Sequence, residues 1–169
     1  TAKDQKGTTL IGFDFSFGYP CCFAEHLSGS RDVRSLWRCL SDRIQDDAQN
    51  ANNRFPVAAD ISGMFPGIGP FCGAPANVQY ADLPHKGSQR YGHGLPEFRA
   101  AEDGVKGAQS GWKLFTTGSV GSQALLGIAR LYQLISSFPD IHLWPFDGPI
   151  PPAFDGVVLA EIFPSIFAL

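Results

Sequence analysis

Two short apolar runs, each closing on a carboxylate and a turn, stand out in the hydrophobic pattern of the chain. The first is Leu10-Ile11-Gly12-Phe13 with Asp14, followed by Phe15-Ser16-Phe17-Gly18-Tyr19-Pro20; the second is Val157-Val158-Leu159-Ala160 with Glu161, followed by Ile162-Phe163-Pro164. Runs of this length bounded by Gly or Pro predict strands over residues 8–13 and 157–163, buried on both faces of a sheet. Between them, Val33, Leu36, Trp37, Leu40 and Ile44 recur at helical spacing behind Asp32, a good N-cap, and predict a helix over residues 33–48. Pro56 suits the first turn of a shorter helix, 57–64. Leu125, Ile128, Leu131, Tyr132 and Ile135 mark the strongest helix, 123–138. Short strands are expected at 112–115 and 141–146. Strands alternating with helices imply α/β layering around a largely parallel sheet in one domain, residues 1–169.

Residues 65–111 break this rhythm. They hold Pro66, Pro70, Pro75, Pro84 and Pro96 and many glycines, with one helix-like patch at 98–103. Irregular stretches of this length are uncommon in compact domains and tend to serve as lids or binding loops. The segment is therefore expected to be a loop-rich insertion, either a lid or an interaction arm.

Composition narrows the classes. A hydrophobic fraction of 44% secures a globular fold, and a net charge of −3 argues against a broad electrostatic footprint for duplex nucleic acid. No apolar run approaches the roughly 20 residues that span a bilayer. Cys21, Cys22, Cys39 and Cys72 have no zinc-ribbon spacing. They are expected to be reduced, partly buried and inert, as in a cytoplasmic protein. A Cys21–Cys22 redox pair is disfavoured by the strain of bridging adjacent residues.

An ionised carboxylate beside a buried strand needs a partner, a metal or an open strand end. Strands of a parallel sheet end at a common edge where ligands gather. Asp14 and Glu161 are therefore candidate catalytic residues and candidate ligands for Mg²⁺ or Mn²⁺, with Asp147 as a third ligand. The plainer alternative is that each carboxylate accepts backbone N–H bonds or pairs with an arginine such as Arg99 or Arg54. Asp60 and Glu102 could also reach the site from the side of the 65–111 segment. A second candidate is the turn carrying Gly118, Ser119, Gly121 and Ser122, whose backbone at a helix start suits a phosphate or another anion. It lacks the P-loop ending, and as a simple N-cap it needs no ligand. Arg31, Arg34 and Arg38 share one helical face, as a phosphate contact or a solvated surface. The histidines have no zinc spacing, and no serine elbow or activated cysteine is visible.

Taken together, Ile11 to Pro20 resembles the hydrophobic-Asp-x-Pro/Ser-x-Gly-x-Pro segment of an uncharacterised bacterial family, a domain of unknown function with a predicted ribonuclease-H-like fold. Asn52-Asn53-Arg54-Phe55-Pro56-Val57-Ala58-Ala59, the 118–123 turn, Trp144-Pro145-Phe146-Asp147 and Glu161-Ile162-Phe163-Pro164-Ser165 resemble its other blocks. The resemblance implies a five-stranded mixed sheet flanked by helices and metal-dependent phosphodiester chemistry carried by acidic residues. Ribonuclease-H-like enzymes also carry an Asp on their first strand. Nothing before Thr8 reads as that strand, so the chain is expected to be a fragment lacking it. The leading expectation is a divalent-metal-dependent nuclease or phosphodiesterase-like hydrolase acting on nucleic acid or a phosphate-containing ligand. Two other classes stand beside it: a nucleotide-binding, phosphoryl-transfer domain of the actin-like ATPase type, and a non-enzymatic partner-binding module using residues 65–111.

Overall fold

The computed structural model describes residues 7–163. Its sheet has three strands, β1 (Thr8–Phe13), β2 (His142–Trp144) and β3 (Gly156–Glu161), in the order β1-β3-β2 and all parallel. The protein is thus a small α/β domain. The resemblance implied five strands in a mixed sheet; the described residues form three, in one direction. The registers Phe13↔Glu161 and Trp144↔Ala160 bring the three strand ends to one edge.

Central strand β3 buries Val157, Val158, Leu159 and Ala160, as a continuous apolar run demands. β1 does not: as an edge strand it alternates, with Ile11 and Phe13 toward the core and Leu10 62% exposed. Four helices follow β1: α1 (Phe23–Ser28), α2 (Val33–Ser41), α3 (Arg54–Ser62) and α4 (Gly121–Ser137). Leu36, Trp37 and Leu40 of α2 and Leu125, Ile128, Leu131 and Ile135 of α4 join Leu143, Val157 and Leu159 of the sheet in a single apolar cluster.

Several boundaries differ from the sequence reading, for local reasons. Helix α2 begins as expected, with the Asp32 carboxylate accepting the Ser35 N–H at 3.2 Å, but it stops at Ser41. Beyond it the Asp47 carboxylate accepts the N–H groups of Gln49 and Ala51, while the Asn53 side chain bonds Gln45 and Arg43. These side chains offer the backbone an alternative to the helix ladder. Residues 112–115 form no strand. The Cys72–Lys113 bridge is a single residue long, because Pro70 has no N–H to donate and Gly73 turns away at a φ of 92°. Residues 98–103 form turns rather than a helix.

Segment 65–111 is irregular apart from a 3₁₀ turn at Gly87–Gln89, yet it is woven into the core. Phe65, Phe71, Ala74 and Leu83 are buried in the same cluster as the helices. Tyr19, Phe23, Phe71 and Trp112 form an aromatic knot, with Tyr19 and Trp112 stacked at 5.1 Å. The Trp112 indole N–H donates to the Pro96 carbonyl at 2.9 Å, and Arg90 pairs with Glu97, fixing the base of the loop that follows.

Candidate functional site

The loop after Pro96 crosses the C-terminal edge of the sheet and encloses a cleft of about 200 Å³. Asp14 and Ser16, from the turn after β1, and Glu161, at the end of β3, form one side; Arg99 and Glu102 come from the loop. Phe15, Val120, Ile162 and Phe163 supply apolar wall. The turn after β1 is pinned from below, where the buried Trp37 indole N–H donates to the Phe17 carbonyl at 2.7 Å.

Arg99 sits at the centre of the charge network. Its Nη1 donates to Glu161 Oε2 at 2.7 Å, its Nη2 bonds Glu161 Oε1, and its Nε and Nη2 reach Glu102 Oε1 at 3.0 and 2.7 Å. Burial alone would lower the pKa of this guanidinium. Hydrogen bonds to Glu161 and then Glu102 more than offset it, and leave the value raised. Glu161 Oε2 also accepts the Phe17 N–H at 2.9 Å, and Ser16 Oγ donates to Glu102 at 3.3 Å. Glu161 thus takes both plainer roles weighed above, backbone acceptor and arginine partner.

Asp14 is different. It is exposed at the cleft, and among the described residues nothing hydrogen-bonds or ion-pairs with its carboxylate. Among the described residues three carboxylates and one guanidinium line the cleft, a net charge of −2. A cation is attracted there; a lone anion is repelled.

Asp147 does not join this group. It accepts two hydrogen bonds from Arg34, at 2.7 and 2.8 Å, and the Leu143 N–H at 2.7 Å. The Arg34 bond, the largest influence, holds its carboxyl below the usual range. Among the described residues no group of three or more His, Cys, Asp or Glu side chains is arranged to hold a metal ion.

In the 118–122 turn, Ser119 Oγ donates to the Thr116 carbonyl and Ser122 Oγ to the Leu114 carbonyl, each at 2.6 Å. The Gly121 N–H donates to Lys113, and a Cβ at Gly121 would meet the Gly111 and Lys113 carbonyl oxygens at 2.5 and 2.7 Å. Gly118 adopts a φ of 73°. These glycines and hydroxyls therefore have internal structural uses. A larger groove of about 370 Å³ lies between α2 and α4, lined by Arg34, Arg38 and Tyr132. Its arginines are engaged, Arg34 with Asp147 and Arg38 with the Tyr132 hydroxyl at 3.2 Å, and Arg31 pairs with Glu25.

Sequence reasoning found Asp14 and Glu161 as strand-end carboxylates, and Glu102 as a residue able to reach them. It also offered Arg99 as an arginine partner, which Glu161 takes; it missed Ser16 and the second contact of Arg99, to Glu102, whose only local signal was their i,i+3 spacing. The chain matches no family model, no curated protein and no solved structure. Among the described residues no helix is long and apolar enough to cross a membrane.

Proposed function

We propose that this domain is a divalent-cation-dependent hydrolase of phosphodiesters, with Asp14 as the cation-binding carboxylate and Glu161 as the group that holds Arg99 in place. The observation that carries the reading is the Asp14 carboxylate, without a hydrogen-bond or ion-pair partner among the described residues, in an acidic cleft at the C-terminal edge of a parallel sheet. Mg²⁺ favours oxygen donors and commonly takes one or two protein carboxylates, with water and substrate phosphate completing its shell. Asp14 fits that pattern as a single free ligand. Glu161 is the less available ligand, since Arg99 and the Phe17 N–H already take three of its roughly four lone-pair positions. When bound, the cation would polarise a phosphoryl oxygen and lower the pKa of a coordinated water.

The chain's own residues support the chemistry around that point. The Arg99–Glu161 pair ties the loop to the strand end, fixing the shape of the cleft beside Asp14. Ser16, donating to Glu102, orients the other side of the loop. At about 200 Å³ the cleft is smaller than the roughly 300–1,000 Å³ of sites that enclose a small ligand, which suits a chain laid across its mouth. The −2 charge repels phosphate until a cation intervenes, so activity should depend strictly on the cation. The phosphodiester substrate class rests on the sequence resemblance of the Asp14 and Glu161 blocks alone, a resemblance that no family model matches. A nucleotide at the 118–122 turn is less well supported, because both serine hydroxyls there donate to main-chain carbonyls.

The test is cleavage of bis(p-nitrophenyl) phosphate and of labelled single-stranded, duplex and branched oligonucleotides, with Mn²⁺, Mg²⁺ or EDTA. Cation-dependent turnover that Asp14→Asn abolishes is expected. No cleavage of any substrate, or equal cleavage by Asp14→Asn, would overturn the reading.

A further inference from the structure

Cys21 and Cys22 lie in the turn between Pro20 and α1, and both are exposed. Adjacent side chains on extended backbone diverge. Here Cys22 has a φ of 74°, in the left-handed region, and its Sγ lies 3.1 Å from that of Cys21. Cys22 precedes α1 without any side-chain capping bond, so capping does not account for the conformation. The surroundings hold it instead: the Pro20 carbonyl accepts the Phe23 N–H at 3.3 Å, the Cys22 carbonyl accepts the His26 N–H at 3.0 Å, and Phe23 is fully buried.

The spacing discriminates between fates for two converging thiols. A disulfide usually needs Cα atoms at least about 4.4 Å apart, whereas adjacent trans residues hold theirs at about 3.8 Å, so direct closure distorts the turn. A bridging atom asks less. With bonds of about 2.3 Å, the zinc–thiolate length, a tetrahedral centre spreads its sulfurs to about 3.8 Å, while a pyramidal centre with near-right angles spreads them to about 3.3 Å. The observed 3.1 Å is close to the second. Zinc also needs further ligands, and the neighbours are taken: His26 Nε2 contacts the Met64 carbonyl, and Glu25 pairs with Arg31.

We propose that Cys21 and Cys22 form a vicinal dithiol site that chelates a thiophilic trivalent centre of the monosubstituted arsenical class. Two As–S bonds form as two As–O bonds break, each thiol proton leaves on the departing oxygen as water, and arsenic stays trivalent. The remaining thiols are poor competitors. Cys39 contacts the Leu27 carbonyl and Arg43, and Cys72 is buried away from solvent.

The probe is phenylarsine oxide, added to phosphine-reduced full chain in excess glutathione and read by intact mass. One phenylarsenic unit per chain is expected, retained against the monothiol and released by 2,3-dimercaptopropanol. Cys21→Ser and Cys22→Ser should each weaken binding about 100-fold or more, the scale of a lost intramolecular second contact. The Cys39→Ser/Cys72→Ser double variant should bind like wild type, and Cys22→Ala with a circular-dichroism check separates lost chelation from lost folding. Wild-type affinity in either single Ser variant, failure of the reduced wild type to take up the probe, or binding lost in the double variant would overturn the proposal.

Discussion

Replacing Arg99 by Met would test whether the cleft is held together by a guanidinium. The side chains of Arg99, Glu161 and Glu102 are 18%, 25% and 14% exposed, so this pairing is substantially removed from water. Met keeps much of the volume but leaves two neighbouring carboxylates without their shared cation. Removing one partner of a fully buried ion pair costs about 3–5 kcal/mol. Residual exposure, the Phe17 N–H on Glu161 and the Ser16 hydroxyl on Glu102 reduce this to about 2–3 kcal/mol here. For a chain of this size that corresponds to a Tm lowered by about 4–12 °C. Urea unfolding followed by tryptophan fluorescence gives the free energy directly. Adding Glu161→Gln to the Met variant removes one orphaned charge and should recover about 1 kcal/mol, a non-additivity expected only of groups in contact. A Met variant within about 0.5 kcal/mol of wild type, or strict additivity of the two changes, would show that Arg99 does not organise the site.

Two other predictions probe the frame around the cleft. Asp147→Asn should cost about 1 kcal/mol at neutral pH, the upper range for a partly exposed pair. Because the Arg34 bond depresses the Asp147 pKa, this contribution is fully present above the unfolded value of about 4 and disappears as pH falls through the depressed folded value. The wild-type and Asn unfolding curves should therefore converge toward pH 2, and a gap that persists there would contradict the assignment. Gly121→Ala should destabilise by about 1–3 kcal/mol, since its Cβ would press on two main-chain carbonyl oxygens that cannot swing aside as a side-chain end could; an unchanged urea midpoint would contradict that packing.

What the residues announced in advance was the part governed by local pattern. The β1 run, the apolar stripe of α4 and the Asp32 cap of α2 each carry their own signal. The end of α2 was hidden because Asp47 and Asn53 act through side-chain bonds that periodicity does not register. Helix α1 is six residues long and has no side-chain cap, so only buried Phe23 and Leu27 mark it. Burial of Phe65, Phe71 and Leu83 in an irregular segment depends on partners distant in sequence. The site divides the same way. Asp14 and Glu161 were legible because carboxylates are conspicuous at the ends of apolar strands. An arginine partner was foreseen, but that Arg99, 62 residues away, docks on Glu161 rather than Arg54 is a tertiary outcome without a local signature.

The central claim is that Asp14 binds a divalent cation in the acidic cleft, and thermal unfolding with and without Mn²⁺ tests it most directly on wild type and Asp14→Asn. At about 100 times its dissociation constant, the cation should stabilise wild type by about 2.7 kcal/mol, a rise of about 5–10 °C in Tm. The Asn variant should unfold at its own metal-free temperature with or without Mn²⁺. An unchanged wild type, or an equal rise in both proteins, would contradict the assignment of Asp14.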